Sequence, residues 1–136
     1  MSSVIEALKA EHAKIRKNLA EIDFLDIHTK EGRKALLMAK EGLLAHLKHE
    51  DENLYPKLLA GAQSDPILAD ALEFFNDDMS SVATTAMAFF EKYEDGCRNH
   101  LFTEDYSNLV HVLSQRIQKE EAVIYEMFNQ LENWED

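Results

Sequence analysis

Residues 3–22 read SVIEALKAEHAKIRKNLAEI. Within them Ile5, Leu8, His12, Ile15, Leu19 and Ile22 recur at spacings of three and four, the period of a helix that turns one face to a core. Ser3, followed three residues later by Glu6, has the form of a capping box at the start of that helix. One member of the apolar stripe is a histidine.

The same period continues along the chain. After a connection at residues 24–29, Leu36, Ala39, Leu43, His46, Glu50 and Leu54 mark a second helix from about Lys30 to Leu59. Pro56 lacks a backbone donor and predicts a kink in its last turns. Gly61–Asp65 forms the next turn, and Asp65-Pro66 supplies a cap with proline at the first helical position. A third helix carries Leu68, Leu72, Phe75, Met79, Val82, Ala86, Phe89 and Tyr93 and ends at Asp95-Gly96. The fourth starts at Thr103 or a neighbour, runs through Tyr106, Leu109, Leu113, Arg116, Glu120, Val123 and Met127, and closes at Trp134. Four amphipathic segments with short connections pack as an all-α, antiparallel up-down-up-down four-helix bundle, read as one domain over residues 1–136.

Composition agrees and excludes several function classes. With four Gly and two Pro, long uninterrupted elements are favoured. A net charge of −12, with no basic stripe, repels phosphate backbones and anionic lipid, so neither nucleic acid nor membrane is an expected partner. No apolar run approaches the roughly 20 residues of a membrane span. The start Met1-Ser2-Ser3 does not read as a signal peptide, and the single Cys97 cannot form an internal disulfide; both fit a reducing, cytoplasmic setting. Cys97 has no histidine or second cysteine at catalytic spacing, and no phosphate-binding glycine loop or nucleophile–base pair argues for an enzyme.

The irregularity in the stripes recurs on three helices. His12, His46, Glu50, Arg116 and Glu120 stand where their neighbours are aliphatic or aromatic. Counted from the connections at about 1.5 Å of rise per residue, these five and Met79 fall within one or two turns of a common cross-section. His46 and Glu50 are four apart, as are Arg116 and Glu120, so each pair projects from one face of its helix. Two buried glutamates require a cation: a metal ion, Arg116, or both. His28, His100 and His111 fall off the stripes and read as surface residues. His49 adjoins the cluster and reads as a supporting residue around it.

The segment His46-Leu47-Lys48-His49-Glu50-Asp51-Glu52-Asn53-Leu54-Tyr55-Pro56 resembles the signature of hemerythrin-like (HHE cation-binding) domains. Glu11-His12 resembles that family's first ligand element, and Arg116-Ile117-Gln118-Lys119-Glu120-Glu121 a degenerate second His-Glu element. The resemblance implies two irons bridged by two carboxylates, with His12 and His46 on one iron and Glu50 and Glu120 as the bridges. It also implies histidines for the second iron near positions 79, 83 and 116, where this chain has Met79, Ala83 and Arg116. A permanently charged guanidinium repels a second ion and can instead satisfy Glu50 or Glu120 as a bidentate partner. The expectation is therefore one ion at most, non-heme iron or another divalent metal, on His12, His46, Glu50 and Glu120.

In such a family the site binds oxygen or nitric oxide, senses iron or redox state, or stores metal. The competing expectation is a metal-free bundle whose buried Arg/Glu/His network supports a protein-interaction module. A homodimer through aromatic residues left exposed on the third or fourth helix is compatible with either. A ferritin-type carboxylate oxidase fits less well, because its Glu-x-x-His order is reversed here.

Overall fold

A computed structural model describes residues 3–96 and 99–135, leaving aside the side chains of residues 134 and 135. Its helices are α1 (Ser3–Phe24), α2 (Lys30–Asn53), α3 (Tyr55–Ala62), α4 (Pro66–Tyr93), α5 (Phe102–Lys119) and α6 (Tyr125–Glu135). A π-helical turn, Glu120–Ile124, joins the last two. Among the described residues there is no strand. Helix α3 continues α2 past a break at Leu54, and α6 continues α5 through the π turn, so the bundle has four members. Among the described residues no helix is long and apolar enough to cross a membrane. Cys97, the Trp134 side chain and the N-terminal Met1 and Ser2 lie outside the described residues.

The helix ends follow from local chemistry. The Thr29 hydroxyl accepts the Gly32 N–H at 3.0 Å and caps α2. Asp65 accepts the Ile67 and Leu68 amides ahead of Pro66, as its sequence predicts. Helix α1 opens at Ser3, the first described residue and the expected start. Gly61 and Ala62 also remain helical, which places the second turn at residues 63–65. Helix α5 starts at Phe102, beside Thr103 as expected, where Asn99 accepts the Leu101 amide. The kink expected from Pro56 appears as the break at Leu54, two residues before the missing donor.

The fourth member departs most from its simple period. The Tyr125 amide donates to the Glu120 carbonyl, an i→i+5 bond that takes up one extra residue. Past that point the buried face passes to Ile124, Tyr125 and Phe128, whereas Val123, expected inside, is 37% exposed. Met127 becomes half-buried. Met79 on α4 and Tyr106 on α5, also expected on the inner stripes, are likewise half-buried.

The apolar core is in two halves. One gathers residues such as Ile15, Ile22, Leu43, Phe89 and Leu113; the other gathers Leu8, Leu58, Leu72, Phe75 and Phe128. Between them lie His12, His46, Glu50, Arg116 and Glu120, each 3% exposed or less. The bundle thus sandwiches one polar layer between two apolar plugs.

The connection between α1 and α2 passes so close to Gly32 that a Cβ there would stand 1.8 Å from the Asp26 carbonyl oxygen. Because the obstacle is backbone, relief requires the connection to move. Gly32→Ala is expected to destabilise the chain by about 3 kcal/mol, read as a lower urea midpoint at unchanged slope.

Candidate metal centre

Each member of the polar layer is placed by its helix. His12 sits mid-way along α1, His46 and Glu50 one turn apart on α2, and Arg116 and Glu120 one turn apart on the fourth bundle member. The His12 and His46 rings lie 4.6 Å apart between centroids. One potential ligand atom from each of His12, His46, Glu50 and Glu120 falls within 4.8 Å of all the others. The structure thus brings together the four residues expected to meet, and buries all of them.

The outer nitrogens orient the rings. His12 Nδ1 is 2.7 Å from Glu121 Oε2, and His46 Nδ1 is 2.8 Å from Glu11 Oε1. A carboxylate oxygen accepts, so each ring carries a hydrogen on Nδ1 that it donates outward, and each Nε2 is turned to the centre. Glu11 is itself held by His49, whose Nδ1 lies 2.6 Å from Oε2. His49 therefore supports the centre through Glu11, one step further out than a contact to His46. The arrangement is crossed: the acid beside His12 orients His46, and the acid beside Glu120 orients His12.

The inner atoms are under-satisfied. His12 Nε2 is 3.2 Å from Glu120 Oε1 and 3.0 Å from the Tyr125 hydroxyl. His46 Nε2 lies 3.5 Å from Glu50 Oε1 and 4.0 Å from Glu120 Oε1, and makes no hydrogen bond. Glu50 Oε1 and Glu120 Oε2 are also buried without a hydrogen-bond partner. Leaving such atoms unpaired costs about 1–3 kcal/mol each. A divalent cation among these lone pairs would satisfy them together, so the donor set fits a metal.

Arg116 takes a course that its sequence position does not reveal. Its Nη1 donates to the Phe75 carbonyl at 3.0 Å and lies 3.5 Å from Asp78; its Nη2 donates to the Tyr55 hydroxyl at 2.9 Å. The guanidinium also lies over the Phe75 ring, 4.9 Å from its centre. Toward the carboxylates it makes one contact, Nη2 to Glu120 Oε2 at 3.7 Å. The expected bidentate pair with Glu50 or Glu120 is absent, because the hydrogen bonds hold the fork against α4 and Tyr55. The charge still compensates Glu120 across that 3.7 Å separation.

Beside Arg116 lies a cavity of about 20 Å³, room for about one water, with His12, His46 and Glu120 on its polar side and Leu47, Met79 and Ala83 as its outer wall. The positions where a second set of nitrogen ligands was expected thus carry a thioether, a methyl group and a tethered guanidinium.

Tyr125, which the period alone did not single out, also enters the layer. Its hydroxyl donates to Glu50 Oε2 at 2.8 Å, and its ring stacks at 5.5 Å on His12. It stands five residues after Glu120, a spacing that shares a face only across a π turn. Glu11, Glu121 and Tyr55 carry no periodic signal either, since each adjoins the inner stripe rather than lying on it. His28, His100 and His111 are exposed, as expected.

Burial, with Glu120 alongside, pushes the Glu50 carboxyl up to about 10 despite the Tyr125 hydroxyl and Arg116. Burial acts on Glu120 in the same sense, but His12, His46, Glu50 and Arg116 outweigh it and hold that carboxyl well below the usual range. His46 is lowered by burial and raised more by Glu120 and Glu11, for a net upward shift. The layer therefore keeps one carboxyl protonated and its neighbour ionised at neutral pH.

The stability consequence has a definite sign. From the ordinary 4.5 up to about 10, the folded chain holds a Glu50 proton that the unfolded chain has released. That contribution is complete below 4.5 and is lost as pH rises toward 10. Glu120 works oppositely, stabilising above the carboxyl range and losing its contribution in acid. Chelator-treated protein should lose several degrees of melting temperature between about pH 6 and about pH 9, and Glu50→Gln should flatten that decline. An equally steep decline in the variant would remove Glu50 as its source.

The sequence profile of the Hemerythrin HHE cation binding domain matches residues 3–128, nearly the whole chain. No curated protein and no solved structure matches. Family match, helical bundle and buried His/Glu cluster agree, and the chain belongs to the hemerythrin HHE cation-binding domain family.

Proposed function

We propose that this chain holds a single divalent transition metal, with iron the first candidate, on His12 Nε2, His46 Nε2, Glu50 and Glu120. The observation that carries the reading is the pair of outward Nδ1 contacts to Glu121 and Glu11, which commits both Nε2 atoms to a centre where Glu50 and Glu120 each keep an unpaired oxygen. Outer carboxylates of this kind fix the tautomer and raise the basicity of metal-binding imidazoles. Two nitrogens and two carboxylate oxygens suit Fe(II), Zn(II) or Mn(II).

A metal bound there would act as a Lewis acid with a coordination position left for a small ligand such as oxygen or nitric oxide. The chain's own part is to orient, exclude and neutralise. Glu11 and Glu121 fix the rings, the two apolar plugs keep bulk water out, and Arg116 supplies positive charge where a second ion would sit. Tyr125 donates a hydrogen bond to Glu50 at the edge of the centre. We assign the protein to small-ligand sensing or metal storage rather than to catalysis, in a reducing, cytoplasmic setting, without nucleic-acid or membrane partners.

A second reading rests on the Glu50 proton and the Arg116 contacts, which together leave the layer close to neutral without any ion. In that reading the network sets helix register and the bundle serves as a protein-interaction module.

Metal analysis of protein purified without added metal separates the two. About one ion per chain is expected, with loss of most of it in His46→Ala. Two tightly bound irons per chain, or no metal with cooperative folding intact, would sink the one-ion reading. In Arg116→His the stoichiometry should rise above that of the parent, because the substitution removes a fixed charge and adds a nitrogen donor.

A further inference from the structure

The centre is buried, yet a metal ion must reach it. On two sides the histidine rings are backed by Glu11 and Glu121, and the two apolar plugs close the ends of the layer. The side between α2 and α4 is different. A cleft of about 240 Å³ opens there, and Glu50 lines it, with Asp51 and Tyr55 on one bank and Asn76 and Ser80 on the other. Leu47, Met79 and Ala83 line both this cleft and the inner cavity beside His12, His46 and Glu120. Leu47, Met79 and Ala83 are thus the shared wall between cleft and cavity.

Outside, the cleft continues into a larger groove of about 560 Å³ through Asp51, Tyr55, Asn76 and Met79, with Glu73 on its rim. Among the described residues lining cleft and groove, none is basic. The order from solvent inward is exposed carboxylate and amide, half-buried thioether, then the fully buried Glu50 with its unpartnered Oε1. Acidic walls raise the local concentration of cations, and a methionine, with three rotatable bonds and a soft sulfur, yields easily to a passing ion. The small Ala83 completes the gap where a larger residue would close it.

We propose that the α2–α4 cleft bounded by Asp51, Asn76 and Ser80 is the route by which divalent cations reach the buried His/Glu centre, and that the Met79 side chain is its gate. This rests on the reading of His12, His46, Glu50 and Glu120 as the metal centre. It adds a function for two positions in the half of the layer that lacks ligands: Met79 and Ala83 leave room for an ion to pass, while Arg116 is held by the Phe75 carbonyl and the Tyr55 hydroxyl. Met79 acts on rates of exchange, through access, rather than as a ligand.

The probe is Co(II), followed by its visible d–d absorption as it is taken up by metal-free protein and as it is removed by EDTA. Met79→Trp, and separately Ala83→Leu, should slow uptake and removal together by about tenfold, so that affinity changes less than either rate. Met79→Ala should speed both, and Ala13→Trp, on the exposed face of α1, should change neither. Unaltered rates in both Met79→Trp and Ala83→Leu, or equal slowing in Ala13→Trp, would overturn the route.

A second measurement does not depend on metal binding. In a Cys97→Ser background, the thiol introduced by Ala83→Cys should react several-fold faster with a cationic than with an anionic methanethiosulfonate at low salt, and Met79→Trp should slow both reactions. Absence of Co(II) binding by the parent protein would defeat the reading of the centre alone. Labelling that is indifferent to Met79→Trp and to reagent charge would defeat the route alone.

Discussion

Two glutamates buried at the mid-height of a bundle are the constraint around which the rest of this structure is arranged. A carboxylate withdrawn from water costs several kcal/mol unless it is neutralised or paired, a sum comparable with the whole stability of a small domain. The chain meets this in three ways at once. Glu50 keeps its proton and accepts from Tyr125; Glu120 stays ionised among His12, His46 and Arg116; and the histidines pass their outward hydrogens to half-exposed glutamates that water also reaches. None of these measures satisfies every inner atom. The unpaired His46 Nε2 and the unpaired carboxylate oxygens are the residue of the problem, and they are also what gives the layer an appetite for a cation.

Arg116 decides the asymmetry of the layer. Tethered to the Phe75 carbonyl and to Tyr55, it cannot swing fully onto Glu120, so it screens that carboxylate without occupying its lone pairs. Positive charge is supplied on one side while the ligand atoms on the other stay free. Two devices elsewhere in the backbone serve the same layer. The break at Leu54 turns α3 so that Tyr55 reaches Arg116, and the π turn after Glu120 rotates Tyr125 inward onto His12 and Glu50. Both irregularities fall within a turn of a buried glutamate, where irregular helix geometry changes which side chains face the centre.

Much of this was legible in the order of residues. Ile5, Leu8, Ile15 and Ile22 repeat at the helical period, and burial follows that period because a helix has only one face to turn inward. His12, His46, Glu50, Arg116 and Glu120 stood out for the same reason: a polar residue on an apolar stripe has nowhere else to go. Their common height followed from helix rise and connection length. Val123 turns outward and Tyr125 inward because one i→i+5 bond shifts every later residue by about 100°, and nothing in the sequence between Glu120 and Phe128 announces it.

The sequence by itself determined the four-member bundle and the four inward ligand candidates, and its resemblance to the family marked Met79, Ala83 and Arg116 as departures from expected nitrogen donors. The bundle and the candidates depend on periodicity and residue chemistry, which are local. Only the tertiary structure decided where the hydrogen bonds run: that Arg116 turns to α4 and Tyr55, that Glu11 serves His46 rather than its neighbour His12, and that Tyr125 enters the layer. Side-chain pairing across helices depends on rotamer, crossing geometry and competition among several possible partners. Residues 35 to 113 positions apart in the chain meet in these bonds, and no local rule ranks such choices.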